Sequence, residues 1–267
     1  MVTQNLYKQI DQIKQAKELP EGRTIFHEVL RTAGIPDSEK TTKRLGDEAM
    51  VILIAGSETT ASTLAAIMYH LLSDKSMLAR LKKELESVMP DPNHAPVASE
   101  LERLPFLNAL IQEAVRLYPG ATHRQDRVAP DEEIVLETQD GGRYVIPPGV
   151  AIGMQPSIVN RHPGVYHDPD RFNPDRYLEN PNLTKFQFSF SKGARSCIGM
   201  NLAYQELQSM TAGIFRKYDL YDPKKAHQDG PTLELYETGK QDVAMYADYI
   251  TTCPVPGSKG LQVRIRN

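Results

Sequence analysis

One loop of this sequence carries the residue types best suited to chemistry. Residues 190–199 are FSKGARSCIG, and Cys197 stands just before a predicted helix. The N-terminus of a helix stabilises a thiolate, because its dipole and its unpaired N–H groups favour negative charge. The loop therefore predicts a cysteine that works as a thiolate.

The neighbours of this cysteine indicate what the thiolate would hold. Gly193 permits a tight turn and close approach by a flat partner. Gly199 lets the start of the helix pass against a large group without a side chain in the way. Arg195 supplies a fixed positive charge suited to a carboxylate, and Phe190 can shield the sulfur from water. These properties match a thiolate that binds haem iron and donates electron density favouring O–O cleavage.

Two other interpretations of the loop remain open from the residues alone. It is also compatible with a glycine turn beside an inert, buried cysteine. A nucleophile elbow is a further possibility, although no histidine stands near it and no signature of cysteine hydrolases is present. The only other cysteine is Cys253. Without a CxxC pair, a disulfide framework and the usual zinc spacings are excluded.

A second group of polar residues interrupts the apolar stretch at residues 49–72. Residues 55–60 are AGSETT, in which a glycine, hydroxyls and an acid can locally open the helix hydrogen-bond ladder. Alternatively, the hydroxyls bond back to their own turn. The stretch is long enough to span a membrane, but Glu58 near its middle would cost roughly 2.5–3.5 kcal/mol there. A protein-buried helix with a polar notch facing a cavity is the better prediction.

Two charged motifs lie further along the chain. Glu113 and Arg116 are spaced i,i+3 on one predicted helix, so they share a face and can pair. Such pairs are commonly solvated surface contacts of little energetic value. The second motif, residues 172–177, is FNPDRY and contains Arg176.

The cysteine loop resembles the haem loop of the cytochrome P-450 family. Every position of the family pattern FxxGxRxCxG is filled, by Phe190, Gly193, Arg195, Cys197 and Gly199. The resemblance implies haem b as cofactor, Cys197 as the axial ligand of its iron, and the other four residues as its binding loop.

Residues 55–60 are similar to the family segment (A/G)Gx(D/E)T(T/S), which crosses the oxygen-binding face of the haem. The resemblance implies Thr59 and Glu58 as catalytic residues that deliver protons for O–O cleavage. A hydroxyl beside an acid is chemically suited to this task.

The charged motifs also match the family in their order along the chain. Residues 113–116 match ExxR, and residues 172–177 resemble the PERF-type segment, with Asp175 where glutamate is commoner. The resemblance implies a buried structural network of Glu113, Arg116 and Arg176 on the cysteine side of the haem. A structural role is favoured over a catalytic one, because a buried pair left without a partner is costly.

Arg127 stands at about the spacing where the family places an arginine for a haem propionate, and Arg124 is a competitor for this role. The histidines show no ligand spacing and are interpreted as ordinary surface or core residues; they are His27, His70, His94, His123, His162, His167 and His227.

The elements that position these residues are predicted to be mainly helical, with small β-sheets. We expect an oxygen-face helix at about residues 47–72, an ExxR helix at about 105–118 and a helix after Cys197 to about residue 218. A hairpin is expected at 134–146, a meandering loop at 162–182 and a closing strand pair in the tail. Composition is ordinary for a globular protein, with 40% hydrophobic and 24% charged residues. The net charge of −3 gives no reason to expect nucleic acid binding.

The resemblance covers nearly the whole chain and implies the C-terminal half of a single cytochrome P-450 domain over residues 1–267. We therefore expect the N-terminal half, its membrane anchor and any transmembrane segment to be absent. The implied function is monooxygenation of an organic substrate, a fungal secondary metabolite, with electrons from NADPH through a reductase. The alternative is a truncated, inactive haem-binding remnant. The full-length family implies location at the endoplasmic reticulum membrane.

Overall fold

A computed structural model describes residues 2–16, 24–138 and 140–266 of the chain. Residues 17–23 lie outside the described residues, so the amphipathic helical pattern of residues 1–32 is described only in part. The α-helices are α1 (Val2–Gln15), α2 (Ile25–Arg31), α3 (Thr42–Ser73), α4 (Lys75–Glu86), α5 (Ala98–Leu101), α6 (Pro105–Leu117), α7 (Pro156–Val159), α8 (Asp175–Glu179) and α9 (Met200–Lys217). Short 3₁₀ turns occupy Asp37–Lys40, Pro181–Phe186, Gly193–Arg195 and Lys240–Asp242.

Small sheets complete the structure. The strands are β1 (Gln125–Val128), β2 (Ile134–Glu137), β3 (Arg143–Ile146), β4 (Ala151–Met154), β5 (Asp219–Leu220), β6 (Thr232–Leu235), β7 (Ala247–Tyr249), β8 (Thr251–Cys253) and β9 (Val263–Arg266). Strands β1 and β4, β2 and β3, and β7 and β8 form antiparallel pairs. Strand β6 pairs parallel with β5 and antiparallel with β9.

The chain divides into two compact units, residues 1–58 and residues 59–267. In the first unit, the hydroxyl of Tyr7 on α1 donates a 2.6 Å hydrogen bond to Asp47 on α3. The ring of Tyr7 packs directly against Gly46, where an added Cβ would overlap the ring. Helix α3 continues from this unit into the second.

The core of the second unit is built from α4, α6, α9 and the end of α3. Helix α4 buries Leu78, Leu81 and Leu85, which the sequence places on one face at helical spacing. Helix α6 begins at Pro105, a residue favoured in the first turn. The carboxylate of Glu84 accepts hydrogen bonds of 2.8 Å from the N–H groups of Phe106 and Leu107, so α4 caps the start of α6.

The predicted hairpin is present, with Ile134 opposite Ile146 and a turn at Gly141, whose φ of 84° suits glycine. The predicted pairing of the tail needs correction. Strand β9 pairs with β6, about thirty residues earlier, and the local hairpin is β7–β8, which precedes the tail prolines. Pro254 and Pro256 lack the N–H that a ladder needs, so pairing stops before them.

Helix α3 is the one helix among the described residues that is long and apolar enough to cross a membrane by length and composition, and 22% of its most apolar window is buried. Val51 and Ile54 are more than 60% exposed. Residues 51–58 are exposed, whereas Leu45 and Ala49 before them and Thr60, Thr63 and Ala66 after them are buried, so the expectation of a buried helix fails in the middle of α3.

Candidate functional site

The cysteine loop leaves the core at Phe190 and ends at the start of α9. Gly193 has φ 75°, a left-handed conformation that disfavours any residue with a side chain. The N–H of Cys197 donates a 2.9 Å hydrogen bond to the carbonyl of Phe190, closing the loop. Gly199 is the N-cap of α9. Cys197 therefore stands close to a helix N-terminus, as its sequence position predicted.

One side of the loop faces the core and the other is open. Phe190 packs inward, with its ring 5.2 Å from that of Tyr204. Cys197 and Arg195 are exposed, and Ile198 beside the cysteine is fully exposed. Among the described residues, no atom beyond the glycine's chain neighbours lies within 4 Å of a Cβ added at Gly193. A thiol next to an exposed apolar side chain on an open face fits a large, flat, apolar group with an iron ligand position, as haem has.

The ExxR motif forms a buried pair. Nε and Nη2 of Arg116 each lie 2.8 Å from a different oxygen of Glu113, and both side chains are fully buried. The geometry is bidentate, the strongest arrangement for an arginine and a carboxylate. The alternative of a solvated surface contact does not apply here.

Arg176 joins this pair, as the sequence predicted. Its Nε lies 3.1 Å from Glu113, although 63 positions separate the two residues. Arg116 also donates to the carbonyl of Asn160 at the end of α7. Both arginines donate to carbonyls of the meandering loop, at His167, Asp168, Pro169 and Arg171. The two guanidinium groups therefore hold the loop against α6.

Asp175, which stands where the family segment more commonly has glutamate, pairs with a residue outside the Glu113 network. Its carboxylate lies 2.5 Å from Arg80 of α4, and both side chains are about half exposed. Such a surface pair contributes about 1 kcal/mol or less to stability.

The AGSETT segment lies on an unbroken helix. Oγ of Ser62 and Oγ1 of Thr63 both donate to the carbonyl of Thr59, at 3.0 and 3.1 Å. Because the helix is continuous through residues 55–60, the predicted local opening of the ladder is wrong. Back-bonding to the helix's own turn is observed at Ser62 and Thr63, which follow the segment. Glu58 is exposed and Thr59 is half-buried.

Gly120, which sequence reasoning missed, brings the end of α6 against α3. A Cβ at this position would lie 2.8 Å from Cα of Thr59. Close by, Oγ1 of Thr63 donates to the carbonyl of Tyr118 at 3.2 Å. The Pro119-Gly120 dipeptide signalled a turn, but only the structure shows that this turn requires a missing side chain.

The structure separates the two candidate propionate arginines. Nη2 of Arg127 donates a 2.9 Å hydrogen bond to Oγ of Ser191 in the cysteine loop. Arg124 instead forms a 2.8 Å ion pair with Asp126. Of these two arginines, only Arg127 hydrogen-bonds to the cysteine loop within the described residues.

His70 contacts two aromatic residues of the second unit. Its ring stacks on Phe172 with centroids 3.8 Å apart, and its Nε2 lies 2.8 Å from the hydroxyl of Tyr118. Burial, with a smaller contribution from the charge of Lys240, lowers the pKa of His70 to about 4. In the part of the chain that the structure describes, no three His, Cys, Asp or Glu side chains converge on a metal site.

Relatives of the chain are fungal enzymes. It is 39% identical over 244 residues to cytochrome P-450 monooxygenase tpcC of Cochliobolus heterostrophus, covering 91% of this chain and 46% of that protein. It is 36% identical to cytochrome P-450 monooxygenase astB of Talaromyces wortmannii, covering 94% and 51%. It is also 36% identical to fusicoccadiene C-8 hydroxylase of Phomopsis amygdali, covering 91% and 44%. The chain thus spans about half the length of these relatives.

The fold is shared with a crystal structure of a cytochrome P-450 (CYP102L1). The match has a TM-score of 0.73 at 22% identity and covers 100% of this chain and 55% of that one. The mainly helical class with small sheets, expected as part of this fold, is confirmed. The family model for cytochrome P-450 matches residues 3–238. The resemblance inferred from the cysteine loop is therefore correct, and the chain belongs to the cytochrome P-450 family.

Proposed function

We propose that this chain carries the haem-binding part of a monooxygenase that inserts one oxygen atom from O2 into an organic substrate. The observation that carries the proposal is the exposed Cys197, tied through its N–H to Phe190 and followed directly by a helix N-terminus. Haem b, when bound, supplies the oxygen-activating chemistry. Electrons would come from NADPH through a reductase, and the fungal relatives favour a secondary metabolite as substrate.

The residues of the chain would divide the work as follows. Cys197 supplies the thiolate ligand, and the helix N-terminus that follows stabilises its negative charge. Gly193 and Gly199 leave room for a flat group, while Phe190 packs behind the loop and excludes water from the core side. Arg127 is placed to neutralise a carboxylate beside the loop.

Proton supply is assigned to α3. Thr59 would hold a proton at its hydroxyl, and Glu58 would exchange protons with water, because it is exposed. Arg116 and Arg176, held by Glu113, donate hydrogen bonds to carbonyls of the meandering loop, so the proposed role of this network is to hold the loop in place. For the full-length protein we propose the endoplasmic reticulum membrane as location.

A second candidate function is haem binding without turnover. The exposed apolar residues Val51, Ile52, Leu53 and Ile54 on α3 favour it, because an apolar patch of this kind invites association of the chain with other molecules. The discriminating experiment expresses residues 1–267, measures haem content and solution size, and assays NADPH-dependent oxidation with a reductase. Coupled turnover by a monomer supports the monooxygenase. Haem-loaded protein that consumes no NADPH supports the second candidate, and failure to retain haem contradicts both.

A further inference from the structure

Asn160, at the end of α7, is completely buried, and both polar atoms of its side chain have protein partners. Its Nδ2 donates to the carbonyl of Arg116 at 3.1 Å and to Oγ of Ser189 at 2.8 Å. Its Oδ1 accepts a 2.8 Å hydrogen bond from the N–H of Phe188. We propose that Asn160 is a positioning residue that fixes the entry of the cysteine loop to the end of α6 and thereby sets the position of Cys197.

The partners determine the orientation of the amide. The carbonyl of Arg116 can only accept a hydrogen bond, and the N–H of Phe188 can only donate one. If the amide of Asn160 were flipped, its Oδ1 would face the carbonyl oxygen of Arg116, and the hydrogens on its Nδ2 would face the N–H of Phe188. Ser189 accepts from Asn160, so its own hydrogen is available for the carbonyl of Val115, at 2.7 Å. The four groups therefore have a single consistent arrangement, and each is costly to leave unpaired where it is buried.

The hydrogen bonds of Asn160 are connected to Cys197 through the residues at the start of the cysteine loop. Phe188 and Ser189 directly precede Phe190, whose carbonyl accepts the N–H of Cys197 at 2.9 Å. The carbonyl of Phe188 also accepts from the N–H of Ser191 at 3.0 Å. Ser191 has φ 61°, an unusual conformation for a residue with a side chain, so the loop needs support from its surroundings to keep it.

The connection runs between elements that the sequence separates widely. Asn160 lies 44 positions from Arg116 and 28 from Phe188. The backbone carbonyl of Asn160 also accepts from Nη1 of Arg116 at 2.8 Å. Asn160 thus links the buried Glu113–Arg116 pair to the cysteine loop, which gives that pair a direct structural route to the proposed iron ligand.

Hydrogen exchange tests the proposal on the protein without haem, so its result does not depend on the proposed function. The quantity is the exchange rate of the Cys197 amide divided by that of the Leu110 amide in the core of α6, which reports global unfolding. Asn160→Asp replaces a donor by an acceptor that faces the Arg116 carbonyl. We expect it to raise this ratio by about tenfold or more, the effect of losing a buried hydrogen bond.

Two matched variants accompany it. Ser189→Ala should raise the ratio as well, while Ser189→Thr, which keeps the hydroxyl, should restore it. The control is Asn108→Asp. Asn108 likewise donates twice, to Glu102 and Leu104, and accepts once, from Gln208, but lies at the other end of α6. It should leave the ratio unchanged.

An unchanged ratio in Ser189→Ala would overturn the proposal, as would an equal rise in Asn108→Asp; if Asn160→Asp does not fold, Ser189→Ala decides. The consequence for the cofactor rests on the proposed function. In protein loaded with haem, Ser189→Ala should lower the fraction of thiolate-ligated species seen in the carbon monoxide spectrum. If the parent chain does not take up haem, the proposed function fails while the exchange ratio still decides the role of Asn160.

Discussion

Arg176 lies 3.1 Å from the carboxylate of Glu113, on which Arg116 also makes two hydrogen bonds of 2.8 Å. One fully buried carboxylate thus serves two buried guanidinium groups. Arg176 thereby fixes the meandering loop to the ExxR helix. The backbone N–H of Asn173 donates a further 2.8 Å hydrogen bond to the same carboxylate.

Glu113→Gln is expected to destabilise the fold strongly. The substitution keeps the shape of the side chain but leaves two buried positive charges without a counter-charge, which costs about 3–5 kcal/mol. Urea unfolding of the purified protein measures this loss. Asp175→Asn is the control, because it breaks a half-exposed pair with Arg80 and should cost about 1 kcal/mol or less. Similar losses in both variants would contradict a special role for Glu113.

His70 predicts a pH dependence of stability. Burial lowers its pKa to about 4 in the folded protein, against about 6.5 when unfolded. Between these values the unfolded state binds the extra proton, so this residue's contribution is present above pH 6.5 and is lost as the pH falls towards 4. The loss amounts to about 3 kcal/mol. Unfolding free energies measured from pH 7 to pH 4 should fall less steeply in His70→Gln; parallel curves would show that another group is responsible.

Gly120→Ala should separate α3 from the end of α6. The added Cβ would meet the backbone of Thr59 at 2.8 Å, and overpacking of this kind costs about 1–3 kcal/mol. Gly213→Ala is the matched control, because nothing lies within 4 Å of its Cβ apart from its own helix and chain neighbours among the described residues. This helical substitution should stabilise by about 1 kcal/mol. Equal thermal stability of the two variants would contradict the close contact.

Arg127→Gln should weaken haem binding, whereas Arg124→Gln should not. Arg127 contacts Ser191 of the cysteine loop, which places its charge beside the proposed position of a haem carboxylate. Loss of a charge-assisted hydrogen bond to that carboxylate costs about 1.5–3 kcal/mol of haem-binding free energy. Arg124 is engaged with Asp126 on the surface. Titration of each haem-free variant with haem gives the two affinities. The opposite ranking would transfer the proposed propionate contact to Arg124.

The sequence predicted the motifs more readily than the contacts that join them. Cys197, the ExxR pair and Arg176 were found because their spacing and order along the chain are distinctive. Gly120 and Asn160 follow no comparable pattern: their importance depends on Thr59 and Ser189, which reach them only through folding. The choice between Arg124 and Arg127 likewise depends on strand β1 facing Ser191. Helix α3 was placed correctly, but whether its backbone hydrogen-bond ladder opens depends on which carbonyl groups the side-chain hydroxyls bond to in the folded chain.

The central claim is that Cys197 is the protein ligand of haem iron. The most direct measurement is the absorption spectrum of haem-reconstituted protein after reduction and addition of carbon monoxide. A thiolate-ligated complex gives a strongly red-shifted Soret band. We predict that the parent chain and Cys253→Ala show this band and that Cys197→Ala does not. A band that survives in Cys197→Ala, or disappears in Cys253→Ala, would contradict the assignment.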